Sequence, residues 1–414
     1  MERVKVAAIG TGGIFRGAHL PNYADIPQAQ LVALCDSSAD SIKAAQQRMT
    51  AVYLERITRA EETKDTATAD RLKKDLDGVK TFADYHEMLA KEKLDLVDVC
   101  TQPFLHAPVS IAALEAGVNV MCEKPMARTW LECDKVIEAA KKSGKLYQHN
   151  ENWLWDRDYY TAKKLIDAGV IGEPVMMFLA TAHGGPEGNS NFWNSDIGGG
   201  GALLDNGIHA IGASWYLSGL DKKPVAVKAA APFGISIRMP KRIINGRFQD
   251  VRVEDDGHIL IRFENEDSGA WATAHVEGSW SHRDSPDTMV IGTTGTMRFT
   301  DFEGRRVVEM TDALGGIRRV EASGPTWQYW PSSFYGEILN MVECVRSGIP
   351  SISGPEFGAD CSAVVGSAYL SEIRGRNTVR LGEFKQFALD IRKKHGESAS
   401  EALVNELLNA VRNG

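Results

Sequence analysis

Several signals that would send a chain to a membrane, a nucleic acid or an oxidising compartment are missing here. No apolar run in the 414 residues approaches the ~20 needed to span a bilayer. The net charge of -8 gives no basic field for a phosphate backbone. Residues 1–10 show no basic stretch, apolar core and cleavage site in succession, and they are expected to run straight into a strand. Cys35, Cys100, Cys122, Cys133, Cys344 and Cys361 show no paired metal spacing. The first three fall in or beside expected strands and read as small buried hydrophobes. These absences fit a reducing cytoplasm, no nucleic-acid partner and no membrane. Hydrophobic residues at 43% and charged residues at 25% describe an ordinary globular protein of two or three domains.

What is present begins with strand–helix alternation. Val4–Ile9 suits a strand buried on both faces. Gly10-Thr11-Gly12-Gly13-Ile14-Phe15 follows, and a helix is expected from Arg16 to Tyr23. Glycines 10 and 12 permit a tight turn and a close approach of backbone to a pyrophosphate, which the helix N-terminus attracts. A plain glycine turn is the competing reading, because the third glycine of the dinucleotide fingerprint is replaced by Phe15. A second strand, Gln30–Cys35, ends at Asp36, placed to bind the adenosine ribose hydroxyls beside Ser37 and to repel a 2′-phosphate, which favours NAD over NADP. Alternatively Asp36 caps a helix over Ser37–Arg48. Gln46–Asp77 has no glycine or proline and is expected to form one or two solvated helices. Strands then recur at Lys80–Phe82, Leu94–Cys100, Val118–Met121 and Lys145–Gln148, implying a doubly wound parallel sheet. Thr101-Gln102-Pro103 and Glu123-Lys124-Pro125 end two of them, where ligands of such sheets lie. His106 opens the helix between them.

The glycine turn, Asp36, Thr101–His106 and Glu123-Lys124-Pro125, taken in order, resemble the Gfo/Idh/MocA family, which includes glucose-fructose oxidoreductase and inositol dehydrogenase. The resemblance implies NAD as cofactor, with Gly10, Gly12, Gly13, Ile14, Phe15, Asp36, Ser37, Thr101, Gln102, Pro103, His106, Glu123 and Lys124 as its expected contacts. It also implies that Lys124 reaches both the nicotinamide ribose and the substrate. Three departures concern fine geometry: Phe15 at a position usually small, one extra residue before His19, and Gln102 for the commoner Asn.

Beyond residue 150 the pattern changes. Asn150-Glu151-Asn152-Trp153-Leu154-Trp155 mixes aromatic, amide and acid groups, as a sugar site or a buried aromatic cluster would. Six strands are expected between Val175 and Thr300, separated by turn residues as in an antiparallel sheet. Gly198-Gly199-Gly200-Gly201 leads into an apolar helix over Ala202–Leu217. Asp205 and His209 share one face of it, either as a helix-stabilising pair or as a proton acceptor with its orienting carboxylate. By resemblance they act with Lys124. His183, Trp193 and Arg283 sit in loops and are further substrate-contact candidates, as are Asn152 and Trp153. Trp327-Gln328-Tyr329-Trp330 is a candidate lid or interface segment.

The expected architecture is therefore α/β: an N-terminal Rossmann domain over 1–150 with a helical insertion at about 46–78, a C-terminal α+β domain over 151–383 with a large open, mostly antiparallel sheet, and a helical extension over 384–414. The expected activity is NAD-dependent oxidation of a secondary alcohol of a sugar, glycoside or polyol, without a metal. A glycosidase that recycles bound NAD and a non-enzymatic NAD or sugar sensor are the rivals. By resemblance the outer face of the open sheet would build a homodimer or homotetramer.

Overall fold

Val4–Ile9 forms β1, the centre of the first sheet, and its apolar side chains are buried on both faces. The structure is a computed structural model and describes residues 3–230, 234–323 and 332–413. The chain divides into two units. The first comprises Met1–Met126, Lys135–Asn150 and Phe334–Glu356. In it β2 (Ala29–Cys35), β3 (Lys80–Phe82), β4 (Leu96–Val99), β5 (Asn119–Glu123) and β6 (Tyr147–Asn150) join β1. The order is β3-β2-β1-β4-β5-β6, with every pair parallel. The order reverses between β1 and β4, so the loops leaving those two strands flank the crevice where doubly wound sheets bind ligands. They pass very close to each other. Gly10 has φ +89°, and a Cβ there would lie 2.6 Å from the main-chain carbon of Cys100, so only glycine fits.

The helix after the glycine turn is π-helical over Phe15–His19 and α-helical over Leu20–Asp25. A π turn accommodates one surplus residue, which is how the extra residue before His19 is absorbed while its ring stays buried. The insertion forms two helices, Ala39–Glu62 and Thr66–Asp77. They are not simply solvated: Met49, Val52, Tyr53, Ile57 and Leu72 are buried, and Asp75 pairs with Arg3 at 2.6 Å. The longer helix is capped by the Ser38 side chain, which leaves Asp36 outside the cap.

The second unit comprises Ala127–Asp134, Glu151–Ser333 and Phe357–Gly414. Its strands are β7 (Pro174–Ala182), β8 (Lys223–Ala229), β9 (Ile235–Ser236), β10 (Lys241–Ile244), β11 (Arg247–Asp250), β12 (Asp256–Glu264), β13 (Trp271–Ser279), β14 (Met289–Gly292), β15 (Gly295–Phe302), β16 (Arg305–Asp312), β17 (Ile317–Glu321) and β18 (Val379–Arg380). The main sheet runs β17-β16-β15-β14-β7-β13-β12-β8-β18, with β9 on β12. Only β7 and β13 pair in parallel, so the sheet is mostly antiparallel. Alternation in β12 buries Ile259, Ile261 and Phe263 on one face and leaves His258, Leu260 and Arg262 half-exposed on the other. The separate β10–β11 hairpin turns through Asn245 and Gly246, both at positive φ, as a two-residue type I′ loop requires. Against β7 and β13 packs the helix Gly207–Ser218. Two helices, Leu381–His395 and Ala399–Asn413, complete this unit.

Candidate functional site

Every residue of the helix Gly207–Ser218 is buried except His209. An otherwise buried helix thus leaves one imidazole partly open, its side chain 14% exposed. The helix expected to start at Ala202 is interrupted: one turn covers Ala202–Asp205, and a new helix starts at Gly207. The Nδ1 of His209 lies 2.6 Å from Oε1 of Glu151, and Glu151 is fully buried. Glu151, which the sequence does not single out beside Asp205, therefore supplies an orienting carboxylate for the ring. Trp153 lies over the imidazole with centroids 5.5 Å apart and planes 15° from parallel. The main-chain N–H of Trp153 donates to Glu151 Oε1 at 3.3 Å. Asn206, next to Asp205, donates to the Thr181 carbonyl at 3.0 Å. Asn152 donates to Ser333 Oγ at 2.8 Å.

The glycine run before this helix is shaped by its surroundings. A Cβ on Gly201 would fall 2.0 Å from the Glu254 carbonyl oxygen. The buried Glu254 carboxylate accepts from Gly201 N at 2.9 Å, Leu203 N at 3.1 Å and Tyr369 OH at 2.6 Å. Burial pushes this carboxyl up to about 7, against the pull of those donors. Glu254 and Tyr369 anchor the turn that carries Asp205 and His209.

In the first unit, Asp36 follows β2 and its carboxylate accepts from Thr11 N at 2.8 Å and Ser38 N at 2.9 Å, so it pins the glycine turn. A Cβ on Gly12 or Gly13 would meet nothing within 4 Å. The turn is therefore bare where a pyrophosphate would approach, and the first N–H groups of the following helix have no intrahelical acceptors. Ile14 is 40% exposed and Ser37 is exposed, whereas Phe15 is fully buried and can offer only its main chain. These residues fit a dinucleotide.

β5 extends to Glu123, and Lys124 follows in a half-buried position before a cis peptide bond to Pro125. His106, expected to face the cofactor, is instead buried with Nδ1 2.7 Å from the Pro125 carbonyl and Nε2 3.0 Å from that of Thr101. It ties together the loops after β4 and β5. Thr101 and Pro103 are half-buried there and Gln102 is exposed. Behind this edge the buried His19 bridges two carboxylates, with Nδ1 2.9 Å from Asp98 and Nε2 2.8 Å from Glu123. Glu123 also accepts the Lys124 N–H at 3.1 Å.

Other candidates have structural surroundings. Trp193 is buried against Trp280, 4.8 Å between ring centroids, under the Arg242 guanidinium. His183 Nδ1 accepts from Gly185 N at 3.1 Å. Arg283 covers Gly184, where a Cβ would lie 2.7 Å from its Nε. Residues 327–330 lie outside the described residues. Among the described residues, three clusters bring potential metal ligands within 4.8 Å: His19, Asp98 and Cys100; His19, Glu123 and Glu337; and Asp256, Glu277 and His282. In the first two, both nitrogens of His19 already face carboxylates; in the third, Arg238 already sits on Asp256 at 2.5 Å.

Residues 4–151 match the profile of the oxidoreductase family with an NAD-binding Rossmann fold, and residues 159–298 that of the GFO/IDH/MocA C-terminal domain. D-glucoside 3-dehydrogenase of Escherichia coli (strain K12) is 30% identical over 220 residues, 52% of this chain and 54% of that protein, so the chain spans about half of that relative's length. D-apiose dehydrogenase of Paraburkholderia graminis is 27% identical, over 92% of this chain and 90% of its own. The aldose-aldose oxidoreductase of Caulobacter crescentus shares the fold, with a TM-score of 0.70, 23% identity, and coverage of 92% of this chain and 100% of the other. No helix among the described residues is long and apolar enough to cross a membrane.

Proposed function

Because the chain belongs to the Gfo/Idh/MocA oxidoreductase family, we propose that it transfers a hydride between NAD and a secondary alcohol of a sugar, glycoside or polyol. The observation that carries this reading is the His209–Glu151 pair at 2.6 Å, on the one partly open position of a buried helix. Glu151 holds Nδ1, so Nε2 is the proton acceptor. The substrate hydroxyl gives its proton to Nε2 while its carbon loses a hydride and becomes a carbonyl. Lys124 donates a hydrogen bond to that oxygen and stabilises its developing negative charge. Asp205 and Trp153 orient the sugar. NAD, when bound, supplies the hydride acceptor. The residues that would hold it are the Gly12–Gly13 turn, Asp36 and Ser37 at the ribose, and Thr101 to Pro103. The carboxylate of Asp36 repels a 2′-phosphate, which supports NAD over NADP.

A screen of sugars, inositols and glycosides with NAD and NADP, read as absorbance of reduced cofactor, tests this. Turnover with NAD that falls in Lys124→Ala and His209→Ala is the expected result. Unchanged turnover in both variants removes the proposal, and free sugar released without net NADH replaces it with the glycosidase. We also assign the open face of the large sheet to contact with a second copy. Leu260, His275, Phe178 and Met289 form a cross-strand row on it, all half-buried. Light scattering of Phe178→Glu should show a smaller particle than the parent.

A further inference from the structure

Trp153 has a second neighbour. Beyond it, Tyr159 stacks at 4.9 Å between centroids and 22° between planes, so His209, Trp153 and Tyr159 form one run of rings. Tyr159 in turn meets the edge of Phe299 at 5.0 Å and shares a hydrogen bond with Thr288 Oγ1 at 3.1 Å. Along this run lies a cavity of about 430 Å³, within the roughly 300–1,000 Å³ of small-molecule pockets. It lies wholly within the second unit. Its lining includes Trp153 and Asn206, the neighbour of Asp205, and four charged residues, Asp156, Asp158, Asp287 and Arg306. The catalytic roles assigned above use none of these four.

The charges of the lining are unequal. Three carboxylates of the lining, Asp156, Asp158 and Asp287, face one guanidinium: Arg306 pairs with Asp158 at 2.6 Å, and its single charge is shared with Asp156 and Asp287. Asp156 Oδ1 already accepts Asp158 N at 3.0 Å as the cap of the helix Arg157–Asp167. Carboxylates with lone pairs to offer, beside aromatic rings and hydroxyls, recognise a hydroxyl-bearing ring. They repel a phosphate or a uronate.

We propose that this cavity is a second carbohydrate subsite, which receives the neighbouring neutral sugar unit of a glycoside whose first unit presents its hydroxyl to His209. The inference rests on the dehydrogenase reading and narrows it: the substrate is a neutral disaccharide or hydroxylated glycoside. A free monosaccharide and an acidic or phosphorylated sugar are poorer substrates. Trp153 separates the two subsites, one side toward His209 and the other toward Tyr159.

Two variants test it. Ala182 lines the cavity and is half-buried, so Ala182→Phe fills it. Asp287 is exposed at its rim, so Asp287→Lys reverses its charge. Neither has a part in the proposed chemistry. The parent should use a matched disaccharide with a kcat/KM about tenfold or more above that of its monosaccharide, the discrimination that one filled pocket provides. Ala182→Phe should erase that advantage through KM and leave the monosaccharide unchanged. Asp287→Lys should raise the relative use of a uronate-bearing disaccharide. Equal kcat/KM for one and two units in the parent, or no change in the ratio in either variant, overturns the subsite. Calorimetry with the disaccharide separates the two readings. Saturable binding that Ala182→Phe abolishes, with no turnover of any sugar, defeats the dehydrogenase and leaves the subsite standing.

Discussion

Gly212 makes room for Glu151. The glycine lies one turn along the helix from His209, and a Cβ on it would come within 2.9 Å of Glu151 Cγ and 3.3 Å of the Phe357 ring. In an exposed helix a Gly→Ala change gains up to ~1 kcal/mol of propensity. Here that gain meets a buried carboxylate with no space to retreat. Gly212→Ala should shift Glu151 away from Nδ1 and lower kcat at least about tenfold, as 1 Å misplacements do. Thermal stability should change little or fall. An unchanged kcat with a raised Tm would mean that Glu151 is not held by this contact.

The substitution at Glu151 itself separates orientation from charge. Glu151→Gln keeps an acceptor for Nδ1–H, whereas Glu151→Ala removes it. If Glu151 sets the tautomer, kcat should fall modestly in the amide and by about 10²-fold or more in alanine, within the range of general-base catalysis. KM for NAD should stay constant in both. Equal losses in the two variants would point to a folding defect; circular dichroism distinguishes the cases.

How much of this could be read beforehand depends on whether a residue's partner is local. The bounds expected for β1 match the structure, because a run buried on both faces needs only its own apolar side chains. Asp205 and His209 were legible as a pair on helical spacing. The carboxylate that actually meets the ring lies 58 residues away, and no pattern within a helix reveals it. Its one signal was the acid within Asn150–Trp155, which was attributed to the stretch as a whole. Glu254 stands 53 residues from the glycine turn it anchors and gave no signal at all. The motif positions of His106 and Phe15 point to cofactor contact, and folding turns both rings inward. β11 and β17 went unseen because they are exposed along their whole length, as edge strands rich in charge are.

Glu254 gives a pH dependence of defined sign. Its carboxyl is raised from the ordinary 4.5 to about 7 in the folded chain. Between those values the folded protein holds a proton that the unfolded chain has released. Stability therefore falls as pH rises from about 4.5 to 7, by on the order of 3 kcal/mol from this group. The three donors on the carboxylate soften the loss. Glu254→Gln mimics the protonated form and cannot titrate. Urea unfolding of the parent at pH 5 and pH 7 should differ by a larger margin than in the variant. Parallel profiles would show that the carboxyl stays ionised throughout.

His19 acts in a different window. Burial opposes its charge, but Asp98 outweighs burial by charge and hydrogen bond, and the ring stays protonated well above its usual range. A histidine raised in the folded state stabilises fully below its unfolded value, and the contribution fades as pH climbs through the folded one. The loss therefore begins above pH 6.5, where that of Glu254 is ending. His19→Gln leaves Asp98 and Glu123 buried without their cation, and breaking such a pair costs about 3–5 kcal/mol. Because Glu123 also receives the Lys124 N–H, the variant should lower kcat as well as stability. A variant that unfolds at the parent's urea midpoint at both pH 6 and pH 9 would show that His19 is neutral in the fold. The bridge between β4 and β5 would then rest on hydrogen bonds alone.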